Sequence, residues 1–158
     1  MNPLLKLHGM TIGGLILAAN AGLLIYLAAG DIKHWAEINW MDVAGEGGTC
    51  LILCGWLFML LRGRPAGRVT RLLSLGLCFT AFSMWMDTLD EFIRLPAEAI
   101  WDNWLETAPM PIGMLLLTLG MYHLQQEQRA INEQMRKREQ LIRDHRLFDK
   151  LTPCLLYT

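Results

Sequence analysis

The sequence predicts an all-α integral membrane protein, a bundle of four transmembrane helices followed by a cytoplasmic signalling helix. Three observations carry that expectation. Of the 158 residues 53% are hydrophobic and only 18% charged, and mean hydropathy is positive at +0.28. Four stretches, 10–30, 43–61, 69–86 and 108–124, are almost free of charge. Nearly all charges fall between or after them. At about 1.5 Å rise per residue, about 20 such residues cross the hydrocarbon core, and only helices satisfy their own backbone there. Four spans absorb about half of the chain, which excludes a compact water-soluble enzyme.

The first span runs from about Met10 to Gly30 with one internal polar residue, Asn20. It lacks a strongly basic leader and a small-residue cleavage site, so it reads as a retained span rather than a signal peptide. The second, about Asp42 to Leu61, opens on Gly45-Glu46-Gly47-Gly48. The third, about Arg71 to Asp90, follows the turn Arg62-Gly63-Arg64-Pro65-Ala66-Gly67-Arg68. The fourth, about Ala108 to Leu124, follows Pro109 and Pro111, which suit a first helical turn because no partner is needed there for the missing N–H.

Lys and Arg near the span ends set orientation. The 62–71 turn holds four arginines and the tail after Leu124 seven basic residues, against only Lys33 and Arg94 in the two opposite loops. Both termini are therefore expected in the cytoplasm. Sorted by side, the net charge of −1 separates into two large opposing parts. The outer side carries ten acids against two bases, and the inner side twelve bases against five acids. The inner excess needs no function beyond topology and contact with anionic headgroups. The outer excess is less easily dismissed, because acids contribute little to topology.

Counting from the cytoplasmic ends, Glu46 and Asp87 each lie 16 residues from an arginine, Arg62 and Arg71, or roughly 24 Å along a helix. Asp90 and Glu91 sit one turn further out, and Glu106 is at a comparable height on the fourth span. Asp87, Asp90 and Glu91 share a helix face by their i, i+3, i+4 spacing. Glu98, Asp102 and Glu106 repeat at i, i+4, i+8. Several close carboxylates at this depth do not all stay ionised without compensation: some take up a proton, or a cation or basic partner sits beside them.

The residues expected to bind a ligand are therefore Glu46, Asp87, Asp90, Glu91 and Glu106, with Trp40 and Trp85 beside them. A divalent metal held by Glu46, Asp87, Glu91 and His34 is one form of that site, since bundles build metal centres from inward carboxylates. An organic cation in an aromatic cage is the other. The ordinary alternatives are solvated loop acids and, for Trp35, Trp40, Trp85, Trp101 and Trp104, the interfacial aromatic belt.

Cys50, Cys54 and Cys78 read as small packing residues, since no paired metal-ligand spacing is present. His8 and His123 fall near the inner interface, but His8 precedes its span, which disfavours a haem pair. Phosphate-binding glycine loops, nucleophile elbows and H-E-x-x-H are absent, and nothing points to nucleic acid.

From Tyr122 the composition turns polar, with no Gly or Pro between Met121 and Thr152. One helix is expected to leave the membrane unbroken. Leu124, Ile131, Met135 and Ile142 fit the seam of a parallel coiled coil, weakened by Gln128, Arg138 and His145 at seam positions. A homodimer through this seam competes with a lone amphipathic helix, which has little to stabilise it in water.

Phe148-Asp149-Lys150-Leu151-Thr152-Pro153, directly after this helix, resembles the D-x-L-T junction at which diguanylate cyclase (GGDEF) domains begin. The resemblance covers about ten residues specifically and the layout loosely. It implies a sensor region of bacterial inner-membrane cyclic di-GMP signalling, with domains at 1–124 (four-span sensor), 125–150 (signalling helix) and 151–158 (truncated start of an output domain). The GGDEF signature and its metal- and nucleotide-binding residues are absent, and Cys154-Leu155-Leu156-Tyr157-Thr158 departs from the family's continuation. This chain is therefore not expected to be an enzyme by itself. The expected function is a receptor that binds a cation or small ligand outside and signals through the fourth span. An intramembrane metal-dependent hydrolase and a small cation transporter or channel are the alternatives.

Overall fold

A computed structural model describes residues 3–96, 104 and 107–155, with side chains placed from 9 to 143 within those ranges. In chain order the elements are α1 (Pro3–Ala29), β1 (Asp31–Ile32), α2 (Trp40–Gly63), α3 (Arg68–Phe92), β2 (Ile93–Arg94) and α4 (Pro109–Leu155). The all-α expectation holds, apart from two two-residue strands. The chain divides into two units, 1–121 and 122–158.

Three helical segments are long and apolar enough to cross a membrane: Gly9–Ala29, Trp40–Gly63 and Arg68–Phe92. They coincide with the first three expected spans. The fourth expectation, Ala108–Leu124, is not met in the same way. A helix does begin there, but its apolar run from Met110 to Met121 is only 12 residues, about 18 Å, before Tyr122 and His123. It is therefore not among the helices that length and composition alone mark as spans, and its crossing stays an expectation.

In the first unit α3 is the central element. Its contact with α2 is the most extensive, and α1 packs on it from another side. Where α3 meets α4 the backbones nearly touch: a Cβ on Gly76 would lie 2.9 Å from the Gly113 carbonyl oxygen, and one on Gly120 would lie 2.7 Å from Leu73 Cδ2. Small residues permit such approach where dispersion, not hydrophobic expulsion, holds helices together.

The core is correspondingly thin and falls into two clusters. Leu57, Leu61 and Leu77 pack together near the arginine-rich turn, joined by Leu15 from α1 and Leu117 from α4. Tyr26, Met86, Leu89 and Ile93 form the other, with Phe82, Trp85 and Phe92 against them. Tyr26 and Met86 are fully buried, and Gly22 admits the Met86 sulfur, which a Cβ there would approach to 2.7 Å.

Beyond the second cluster the chain closes a feature that periodicity did not announce. β1 and β2 pair antiparallel, Asp31 opposite Arg94 and Ile32 opposite Ile93. The Lys33 N–H extends the pairing to the Phe92 carbonyl at 2.9 Å. Gly30 is required at the entry, because a Cβ would lie 2.8 Å from the Arg94 carbonyl oxygen. This miniature sheet ties the ends of α1 and α3 together at the end of the unit where the acids gather.

Candidate functional site at the acidic end

Asn39 builds this end locally. It caps α2, its side-chain oxygen accepting from the Met41 N–H at 3.3 Å and its amide nitrogen donating to Asp42 Oδ2 at 2.5 Å. Its own backbone N–H donates to Glu91 Oε2 at 3.4 Å, which joins the start of α2 to the end of α3. Asn39 was missed by the sequence reading, although an Asn followed three residues later by Asp is a helix-start signal of the capping-box kind.

The two bases of this end are both engaged. Lys33 Nζ lies 3.9 Å from Asp90 Oδ2 and also donates to the Asp90 carbonyl. Arg94 Nη2 donates to Glu37 Oε2 at 3.2 Å. Asp90 is thus compensated, as is Glu37. Glu46 and Asp87 have no ion-pair partner among the described residues. One carboxylate oxygen of Glu46, Oε2, is buried with no hydrogen-bond partner among them. The charges that act on Glu46 are those of Asp87, Glu91, Asp42 and Asp90, in that order. Helices α2 and α3 therefore bring Glu46, Asp87 and Glu91 into one electrostatic group, as the depth count anticipates.

The metal set is not assembled. Among the described residues no three His, Cys, Asp or Glu side chains converge as metal ligands, so Glu46, Asp87, Glu91 and His34 do not form a centre. The reason is local. His34 sits in the turn beyond β1, where its carbonyl accepts the Glu37 N–H at 2.8 Å and its side chain faces outward. Glu46 lies in the second turn of α2, on a different element. Glu106, Glu98, Trp101 and Asp102 lie outside the described residues, so the contribution expected from the fourth segment is not placed.

The two tryptophans part company. Trp40 stacks on Trp35 with ring centroids 5.5 Å apart, and Phe92 meets it edge-on at 6.5 Å. Both indoles remain largely exposed, so an aromatic surface stands beside the carboxylates. Trp85 does not belong to it. Its Nε1–H donates to the Ala19 carbonyl at 3.2 Å, making it a tie between α3 and α1 rather than a ligand contact.

In the second unit Leu124 is half-buried, and Ile131, Met135 and Ile142 are exposed. The helix runs on to Leu155, through Pro153.

No known protein family, no characterised protein and no solved structure matches this chain.

Proposed function

We propose that the chain is the sensor region of a bacterial inner-membrane signalling protein that binds a small organic cation at its acidic end. The observation that carries this reading is Glu46 Oε2, buried and unpaired beside Asp87 and Glu91 while the nearby bases serve Asp90 and Glu37. An ammonium group satisfies that oxygen and relieves the repulsion among three carboxylates at once. The Trp35–Trp40 pair offers it an aromatic face, the usual partner of organic cations. A coordinating metal is less well served, because the nitrogen ligand and the convergent third carboxylate are missing from the described residues. The same lack removes support from a metal-dependent hydrolase.

Transmission follows from position. The carboxylates sit on α2 and α3, and α3 abuts the first turns of α4 through Gly76 and Gly113. A cation that draws α2 and α3 together at one end changes the surface against which α4 packs. The helix then carries the Leu124, Ile131, Met135, Ile142 seam of a homodimer, with both termini cytoplasmic and a cyclic di-GMP output as the resemblance implies. A ligand shifts such an equilibrium only by its difference in affinity between the two states. Here that difference comes from charge neutralisation.

The test is calorimetric titration of the purified full chain with choline, ethanolamine, spermidine, zinc and magnesium, each alone. At least one amine is expected to bind the wild type, with binding lost in Glu46→Gln and Asp87→Asn and retained in Arg94→Gln. Cross-linking through a cysteine at Met135 is expected to change on addition of that amine. No amine binding, or binding indifferent to both acidic substitutions, overturns the reading.

A further inference from the structure

The acidic end is not the only place where the first unit offers a ligand an unfilled surface. Between α1 and α3 runs an apolar groove of about 330 Å³, lined by Gly14, Leu15 and Ala18 on one side and Leu75, Cys78 and Phe82 on the other. At about 30 Å³ per water-sized group, it has room for on the order of ten methylenes. The groove exists because α1 presents small residues there. Gly14 has nothing within 4 Å of the position its Cβ would take.

What fills it is indicated by the sequence of α3 itself. Residues 75, 78 and 82 recur at i, i+3, i+7, and the same stripe extended toward the start of α3 passes through Arg71 and Arg68. Arg71 lies four residues, about 6 Å, before Leu75, one turn along the same face. Both arginines are exposed, and neither guanidinium has a partner among the described residues. An apolar slot whose α3 stripe continues, one turn on, into two uncommitted guanidinium groups matches a molecule with an acyl chain at one end and a phosphodiester at the other. Guanidinium forks bind phosphate oxygens in pairs, and basic pockets between transmembrane helices are where anionic headgroups dock.

We infer that the groove between α1 and α3 holds one acyl chain of an anionic phospholipid, whose phosphate is bound by Arg68 and Arg71. The lipid stands in the leaflet that faces the arginine-rich turn, at the opposite end of the unit from Glu46. By filling the gap it completes the packing of α1 on α3, which is otherwise made through Leu15 and, further along toward the acidic end, through Trp85 and Met86. The inference does not depend on the cation site.

The experiment is native mass spectrometry of the full chain in detergent, with palmitoyl-oleoyl phosphatidylglycerol and the corresponding phosphatidylcholine supplied separately. One phosphatidylglycerol per chain is expected to be retained in preference to phosphatidylcholine. The double variant Arg68→Gln, Arg71→Gln is expected to weaken phosphatidylglycerol by about 30-fold, at about tenfold per 1.4 kcal/mol and about 1 kcal/mol for each basic residue lost, and to abolish the preference. Gly14→Leu, whose side chain grows into open space and fills the groove, is expected to lose both lipids while circular dichroism stays that of the wild type. Equal retention of the two lipids, retention unaffected by Gly14→Leu, or a dimer cross-linked through Cys78 that excludes lipid each overturns the inference. The last result assigns the groove to a second copy of this chain. Should Gly14→Leu fail to fold, Cys78→Phe fills the same slot from α3 and is read in the same way.

Discussion

Helices α2 and α3 are 24 and 25 residues long, both apolar enough to span a membrane, yet hardly any of α2's apolar stretch is buried whereas more than half of α3's is. The residues explain the difference in an order opposite to that of a soluble protein. The well-buried helix is the one with the smaller and more polar side chains: Thr70, Ser74, Gly76, Thr80, Ala81, Ser83 and Thr88 are all buried. Three of the hydroxyls return to carbonyls of their own helix, Ser74 to Arg71, Thr80 to Gly76 and Thr88 to Met84, so burial leaves them satisfied. Helix α2 turns Leu51, Ile52, Trp56, Phe58 and Met59 outward. In lipid those large groups gain little by moving inside, whereas small residues gain close backbone contact. Burial here follows position: α3 lies against α1, α2 and α4, and its small residues let those neighbours approach.

The strongest way to break this comparison is to enlarge a glycine on each helix. A Cβ on Gly76 would lie 2.7 Å from Leu117 Cγ and 2.9 Å from the Leu117 nitrogen, whereas Gly55 has nothing within 4 Å. Gly76→Leu is expected to lower stability in detergent by about 1–3 kcal/mol or more, because the opposing backbone does not yield. Gly55→Ala is expected to be neutral or to stabilise by up to about 1 kcal/mol, from helix propensity alone. Thermal unfolding followed by circular dichroism reads both. Equal effects at the two sites sink the distinction.

A smaller effect tests the other neighbour of α3. The indole N–H of Trp85 crosses to the Ala19 carbonyl on α1, while Trp56 on α2 is exposed. Trp85→Phe keeps the ring and removes the donor, and a loss of about 1 kcal/mol is expected. Trp56→Phe is expected to leave unfolding unchanged. If both substitutions behave alike, Trp85 is an interfacial anchor after all, as the sequence first suggested.

Much of this was legible before the structure. Charge-free stretches gave three spans to within a few residues, because a membrane helix must be apolar over a fixed length whatever it packs against. Counting residues from Arg62 and Arg71 placed Glu46 and Asp87 at one height, since rise per residue is a local constant. Rotation about the helix axis is not local, which is why the same count did not reveal that the Trp85 indole turns to the Ala19 carbonyl on α1. The miniature sheet was illegible for a further reason. Asp31-Ile32 and Ile93-Arg94 are each too short to show alternation, and 60 residues separate them. The fourth segment stays an expectation: the helix start that Pro109 and Pro111 mark is found, while the apolar run behind them is shorter than the other three.

The smallest effects belong to the two ion pairs of the acidic end, and there the contrast between inside and outside can be made finer. The Arg94–Glu37 pair is exposed, with 66% and 47% of the side-chain surfaces accessible, whereas the Lys33 side chain retains only 17%. An exposed pair contributes about 0–1 kcal/mol, since solvent and salt screen it and ordering two long side chains offsets the attraction. Arg94→Gln is therefore expected to shift unfolding by no more than about 0.5 kcal/mol, and 0.5 M salt is expected to erase the difference. Lys33→Gln is expected to cost more and to resist salt, because Lys33 also holds the Asp90 carbonyl beside the paired strands. If Arg94→Gln proves the more damaging of the two, the β1–β2 pairing depends on the outer ion pair, and the acidic end is held from its surface rather than from α3.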